Sequence, residues 1–85
     1  MTEADILREV KRLVAETCAL DRAAIRDEGR LSDYGIDSVR AIDLLVSLEE
    51  TFQIAVPDAD AARLATIGDV VGYVARRRTG GGTKA

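Results

Sequence analysis

Histidine and tryptophan are absent from this 85-residue chain, and cysteine, proline and methionine occur once each. Without histidine the chain lacks the commonest general base and the commonest transition-metal ligand at neutral pH, so catalysis by this chain alone is not expected. A single cysteine, Cys18, excludes an internal disulfide. No apolar run is long enough to span a membrane, and no charged start followed by an apolar, cleavable stretch marks a signal peptide, which makes the cytoplasm the expected compartment. Aromatic side chains are limited to Tyr34, Phe52 and Tyr73, so the core must be built from Leu, Ile, Val and Ala. With 47% hydrophobic and 32% charged residues, 85 positions suit one small domain of modest stability.

The net charge of −3 conceals an uneven distribution. Residues 1–30 carry seven acids and six bases, residues 31–69 eight acids and two bases, and residues 70–85 four bases and no acid. An acidic middle repels nucleic acid and anionic membranes and favours encounter with basic protein patches.

Helical periodicity accounts for most of the chain. Ile6, Leu7, Val10, Leu13, Val14 and Cys18 recur at three- and four-residue intervals behind Thr2 and Asp5, an N-cap and its partner acid, which predicts a first helix ending between Thr17 and Leu20. Residues 19–37 predict a long loop, anchored by Leu20, Ile25, Leu31, Tyr34 and Ile36 and containing Gly29 and Gly35. From Ser38 to Phe52, Val39, Ile42, Leu45, Val46, Leu48 and Phe52 fit the buried side of a second helix, with Arg40, Asp43, Ser47 and Glu50 opposite. Pro57 marks the first turn of a short helix of about two turns. Thr66-Ile67-Gly68-Asp69 repeats the capping arrangement ahead of Val70, Val71, Val74 and Ala75, and Arg76 to Arg78 suit the end of that last helix. The expected fold is all-α: a small antiparallel bundle of three long helices and one short one over residues 1–78. A Gly-rich tail over residues 79–85 has nothing to bury and is expected to be disordered.

Ser38 stands where the second helix begins, and serine is a preferred N-cap that needs no further reason to be there. Its neighbours add chemistry: Asp37 supplies a carboxylate, Gly35 a tight turn, and the helix N-terminus free N–H groups and a partial positive charge that suit a bound phosphate. With no histidine to activate it, the hydroxyl is better suited to being modified than to acting as a nucleophile. A lysine base has only Lys11 and Lys84 to draw on, and neither has an evident reason to reach Ser38. Cys18 reads as a small core hydrophobe. No zinc or calcium spacing and no glycine-rich phosphate loop occurs.

Gly35-Ile36-Asp37-Ser38-Val39, then Leu48-Glu49-Glu50-Thr51-Phe52, Val56-Pro57-Asp58, Thr66-Ile67-Gly68-Asp69-Val70-Val71 and Tyr73 together resemble the acyl carrier protein family, over roughly residues 4–75 and in the family's order. The resemblance implies a monomeric, free-standing, non-catalytic carrier whose Ser38, beside Asp37, receives 4′-phosphopantetheine from coenzyme A through a magnesium-dependent phosphopantetheinyl transferase. The arm then carries an acyl group as a thioester between partner enzymes, namely an acyl-loading ligase or acyltransferase and the enzymes of a synthase. It implies a docking surface on the second helix at Asp37, Val39, Arg40, Asp43, Val46, Glu49 and Glu50, and an acyl pocket among Val46, Leu48, Phe52, Val56, Ala61, Leu64 and Tyr73. Arg40 departs from the family's fatty-acid carriers, which usually have an acid there; it is placed to pair with Asp43 three residues on. The cargo stays open between fatty-acid and polyketide intermediates and the aminoacyl or peptidyl groups of non-ribosomal carriers. An unmodified helical module that binds a basic partner through its acidic second helix is the alternative of a different class.

Overall fold

The first helix, α1 (Glu3–Cys18), starts where the sequence signals it: the Thr2 hydroxyl accepts the Asp5 amide at 3.2 Å, and the Thr2 amide donates to the Asp5 carboxylate at 3.0 Å. The protein is described from a computed structural model, in full for residues 1–78 and as helical backbone through Lys84. The expected tail over residues 79–85 therefore lies outside the described side chains. Two further long helices, α2 (Ser38–Phe52) and α4 (Ile67–Lys84), pack on α1, and a single-turn α3 (Asp58–Ala61) lies between them in the chain. The core is aliphatic around one ring: Ile6, Val10, Leu13 and Val14 of α1 meet Leu44, Leu48 and Phe52 of α2 and Ile67, Val70, Val71 and Val74 of α4.

The long loop has more internal structure than its composition suggests. One-turn 3-10 helices occupy Arg22–Ala24 and Leu31–Tyr34, and an isolated antiparallel bridge pairs Arg30 with Thr66. The Leu31 amide donates to the Ala65 carbonyl and the Ile67 amide to the Gly29 carbonyl, both at 2.9 Å. These bonds tie the loop to the segment that starts α4, which local sequence has no means of announcing. Tyr34 closes the same loop, its hydroxyl accepting the Arg26 amide at 2.8 Å. Of the five expected anchors, Ile25 is buried and Leu31, Tyr34 and Ile36 are half-buried, but Leu20 is exposed. The chain leaves α1 through left-handed Ala19 (φ 56°), and that turn carries Leu20 off the core face.

Two other expectations are corrected. Pro57 caps α3 from outside, and the helix is four residues long because the bonds of Arg63 to Asp60 and Leu64 to Ala61 tighten the chain into a three-residue turn. On α2 the buried stripe is Leu44, Leu48 and Phe52, while Val39, Ile42 and Val46 face solvent.

The capping box of α4 is as expected. Asp69 accepts the amides of Ala65 (3.0 Å) and Thr66 (3.1 Å), and the Asp69 amide donates to the Thr66 hydroxyl. Those backbone donors hold the Asp69 carboxyl below its usual value of 3.8. A carboxyl depressed in the folded state stabilises fully above its unfolded pKa, and that contribution is lost as pH falls through the lower folded value. Thermal unfolding of wild type and Asp69→Asn is therefore expected to differ most near neutrality and to converge as pH falls below the ordinary carboxylate range. A difference that is constant with pH would contradict this account.

Candidate functional site

Ser38 is the first residue of α2, exposed, with Asp37 rather than Ser38 as the N-cap. Asp37 is extended (φ −96°, ψ −171°), and its carboxylate accepts the Arg40 amide at 2.9 Å while its carbonyl accepts the Ala41 amide at 2.8 Å. With the capping done by its neighbour, the Ser38 hydroxyl makes no hydrogen bond among the described residues and is presented at the positive end of the helix dipole. Gly35 delivers the chain to this point in the left-handed region (φ 84°), closing the preceding 3-10 turn with its amide donating to the carbonyls of Leu31 and Ser32. A side chain would strain that conformation.

From Ser38 a cleft of about 520 Å³ runs between α2, the Arg30–Ser32 loop and α3. Ala41, Leu45, Leu48, Ala61 and Leu64 make its apolar walls, and Arg30, Ser32, Asp37 and Asp58 contribute polar groups. Three residues of the expected acyl pocket, Leu48, Ala61 and Leu64, line this cleft. Phe52 and Val56 are buried elsewhere in the core, and Val46 is 46% exposed on the outer face of α2. Tyr73 lines a separate cleft beside α4, where its hydroxyl donates to Asp60 at 2.7 Å and Arg77 lies over the ring. Burial, reinforced by Asp60, pushes the Tyr73 phenol above its ordinary pKa. Ala41 and Leu45 were not anticipated. Helical period places Leu45 and Val46 equally well near a core, and only the position of α3 decides which of them meets a wall.

The seven residues expected to dock partners are placed unequally. Val39, Val46 and the unanticipated Ile42 form an exposed apolar stripe at i, i+3 and i+7, with Asp43 and Glu50 exposed on the same helix. Glu49 is turned to a structural task, its carboxylate accepting the Val56 amide at 2.8 Å. Arg40 does not pair with Asp43; its guanidinium donates to the carbonyl of Thr17 at 2.8 Å. Cys18 is half-buried, and burial raises its thiol pKa against the opposing effect of Arg40, which suits packing rather than reaction. Lys11 pairs with Asp27.

Among the described residues, no helix is long and apolar enough to cross a membrane. A family model described as phosphopantetheine attachment site matches residues 8–74. An acyl carrier protein of Campylobacter jejuni subsp. doylei is 40% identical over 67 residues, 78% of this chain and 87% of the relative. One of Campylobacter lari is 37% identical over 70 residues, covering 81% and 91%. In fold, the chain is similar to an acyl carrier protein of Thermotoga maritima, with a TM-score of 0.77 at 19% identity over 91% of each chain. It is also similar to an HMG-ACPI domain from the CurA module of Lyngbya majuscula, with a TM-score of 0.81 at 17% identity over 94% of this chain and 82% of that one. The matched span contains both the exposed serine and the cleft beside it, and on this evidence the chain belongs to the phosphopantetheine-attachment family of acyl carrier proteins.

Proposed function

We propose that Ser38 is the residue to which 4′-phosphopantetheine is joined, and that the protein is a non-catalytic carrier of acyl groups. The observation that carries this reading is an exposed serine hydroxyl at the first position of a helix, released from capping by Asp37 and bordering an apolar cleft. In the transfer, Ser38 Oγ bonds to the phosphorus of coenzyme A that bears the pantetheine. The phosphoanhydride bond breaks, 3′,5′-ADP leaves, and the hydroxyl proton passes to a base of the transferase. Bound there, the arm supplies a terminal thiol that holds an acyl group as a thioester.

The residues around Ser38 fit the group. The amino end of α2 favours the phosphodiester charge, and the exposed position admits a transferase. The tether keeps a bound acyl group at high effective concentration for successive enzymes. The apolar walls of the cleft, Ala41, Leu45, Leu48, Ala61 and Leu64, suit an apolar acyl cargo. Val39, Ile42 and Val46, flanked by Asp43 and Glu50, form the surface for partner enzymes with an apolar patch rimmed by basic residues.

Intact mass tests the reading. The chain, shown to be unmodified, is incubated with coenzyme A, magnesium and a broad-specificity phosphopantetheinyl transferase, and a gain of one phosphopantetheine group located at Ser38 is expected. A gain at any other residue would refute the assignment.

A further inference from the structure

Arg40 is the only cation on α2, and its guanidinium leaves that helix for α1. The acceptor, the Thr17 carbonyl, belongs to the last turn of α1, which has no basic residue of its own. A helix end of that kind has unpaired carbonyls and a partial negative charge, which a cation from outside can satisfy. On its other side the Arg40 amide is held by the Asp37 carboxylate at 2.9 Å, and the next amide, of Ala41, by the Asp37 carbonyl at 2.8 Å. One residue thus joins the carboxyl end of α1 to the turn that carries Ser38.

We infer that Arg40 is a positioning residue for the modification of Ser38, latching the first turn of α2 to the end of α1 so that the hydroxyl is held in one place. The inference rests on Ser38 being the attachment residue. The first turn of a helix frays most readily, and an enzyme that must align an oxygen with a phosphorus atom loses rate in every conformer where that turn is open. The latch also changes the meaning of the positive charge. Arg40 stays exposed, but one of its guanidinium donors is committed to a carbonyl of its own chain instead of to a partner.

Two measurements on wild type, Arg40→Ala, Arg40→Lys and Arg63→Ala test this, the last removing an exposed arginine that is not on α2. Amide hydrogen exchange at residues 40 and 41 is followed in the unmodified chains, and kcat and KM of arm transfer are separated by intact mass. Arg40→Ala is expected to speed exchange at both amides by about tenfold, the loss of roughly one charge-assisted hydrogen bond. It should lower kcat by a similar factor with KM changed less than about twofold. Arg40→Lys, which keeps a charged donor able to reach a carbonyl, restores most of both, and Arg63→Ala behaves as wild type. Unchanged exchange, an effect confined to KM, or no recovery with lysine each overturns the latch. Failure of the wild type to be modified at Ser38 would instead remove the proposed function, whereas a modified wild type matched by Arg40→Ala removes the latch alone.

Discussion

Ser38→Ala is expected to take up no phosphopantetheine group while folding as the wild type does. The first half follows from chemistry, since alanine has no atom through which to form the ester. The second follows from the capping geometry. The bond that starts α2 is accepted by Asp37, and the Ser38 hydroxyl is exposed and bonded to nothing among the described residues. Alanine is the best helix former and is well tolerated at the first position, so stability should change by no more than about 0.5 kcal/mol. Asp37→Ala separates the two roles: it keeps the hydroxyl but removes the cap, at about 1 kcal/mol. Intact mass and thermal unfolding followed by circular dichroism are sufficient. A Ser38→Ala protein that is still modified, or that melts as low as Asp37→Ala, would contradict the division of labour between the two residues.

Gly29→Ala is expected to be strongly destabilising although nothing chemical happens at that position. A methyl group there would stand 1.8 Å from the Tyr34 hydroxyl oxygen and 2.6 Å from the ring carbon that bears it, so the ring must move. Movement breaks the bond from the Arg26 amide to Tyr34, beside the Gly29 carbonyl that accepts from Ile67. Forcing extra volume into a packed contact costs about 1–3 kcal/mol. In a domain of this size each kcal/mol lowers the melting temperature by about 4–8 °C. The cause can be isolated with a double-mutant cycle, because in a Tyr34→Ala background the ring is gone and Gly29→Ala should cost little. Losses that simply add would show that the ring is not what the glycine accommodates. Leu31 and Ser32, on the same loop, line the cleft, so displacement of this loop should also slow arm transfer.

Much of the fold was legible residue by residue. Thr2 with Asp5 and Thr66 with Asp69 announced two helix starts correctly, because a capping box is a contact within four residues and needs no tertiary structure. The helical class and the presence of a hydroxyl at the start of α2 were accessible for the same reason. The division of roles between Asp37 and Ser38 was less so, since both are good caps and adjacent positions differ only in which carboxylate or hydroxyl reaches the Arg40 amide.

Periodicity and caps thus mark three long helices and a hydroxyl where the second begins, and the resemblance carried by the ordered motifs points to a carrier of the phosphopantetheine type, the family that the comparisons show. Contacts distant in sequence decided the rest. The partners of Arg40 and Tyr34 lie 23 and 8 residues away, and the loop is secured to the start of α4 by the Arg30 to Thr66 bridge. The outward stripe of Val39, Ile42 and Val46 has the same spacing as a buried one, so its exposure depends on where α1, α3 and α4 are placed around α2. Short-range hydrogen bonds and side-chain period are properties of a segment, whereas which side of a helix is wetted and which guanidinium meets which carbonyl are properties of the packed whole.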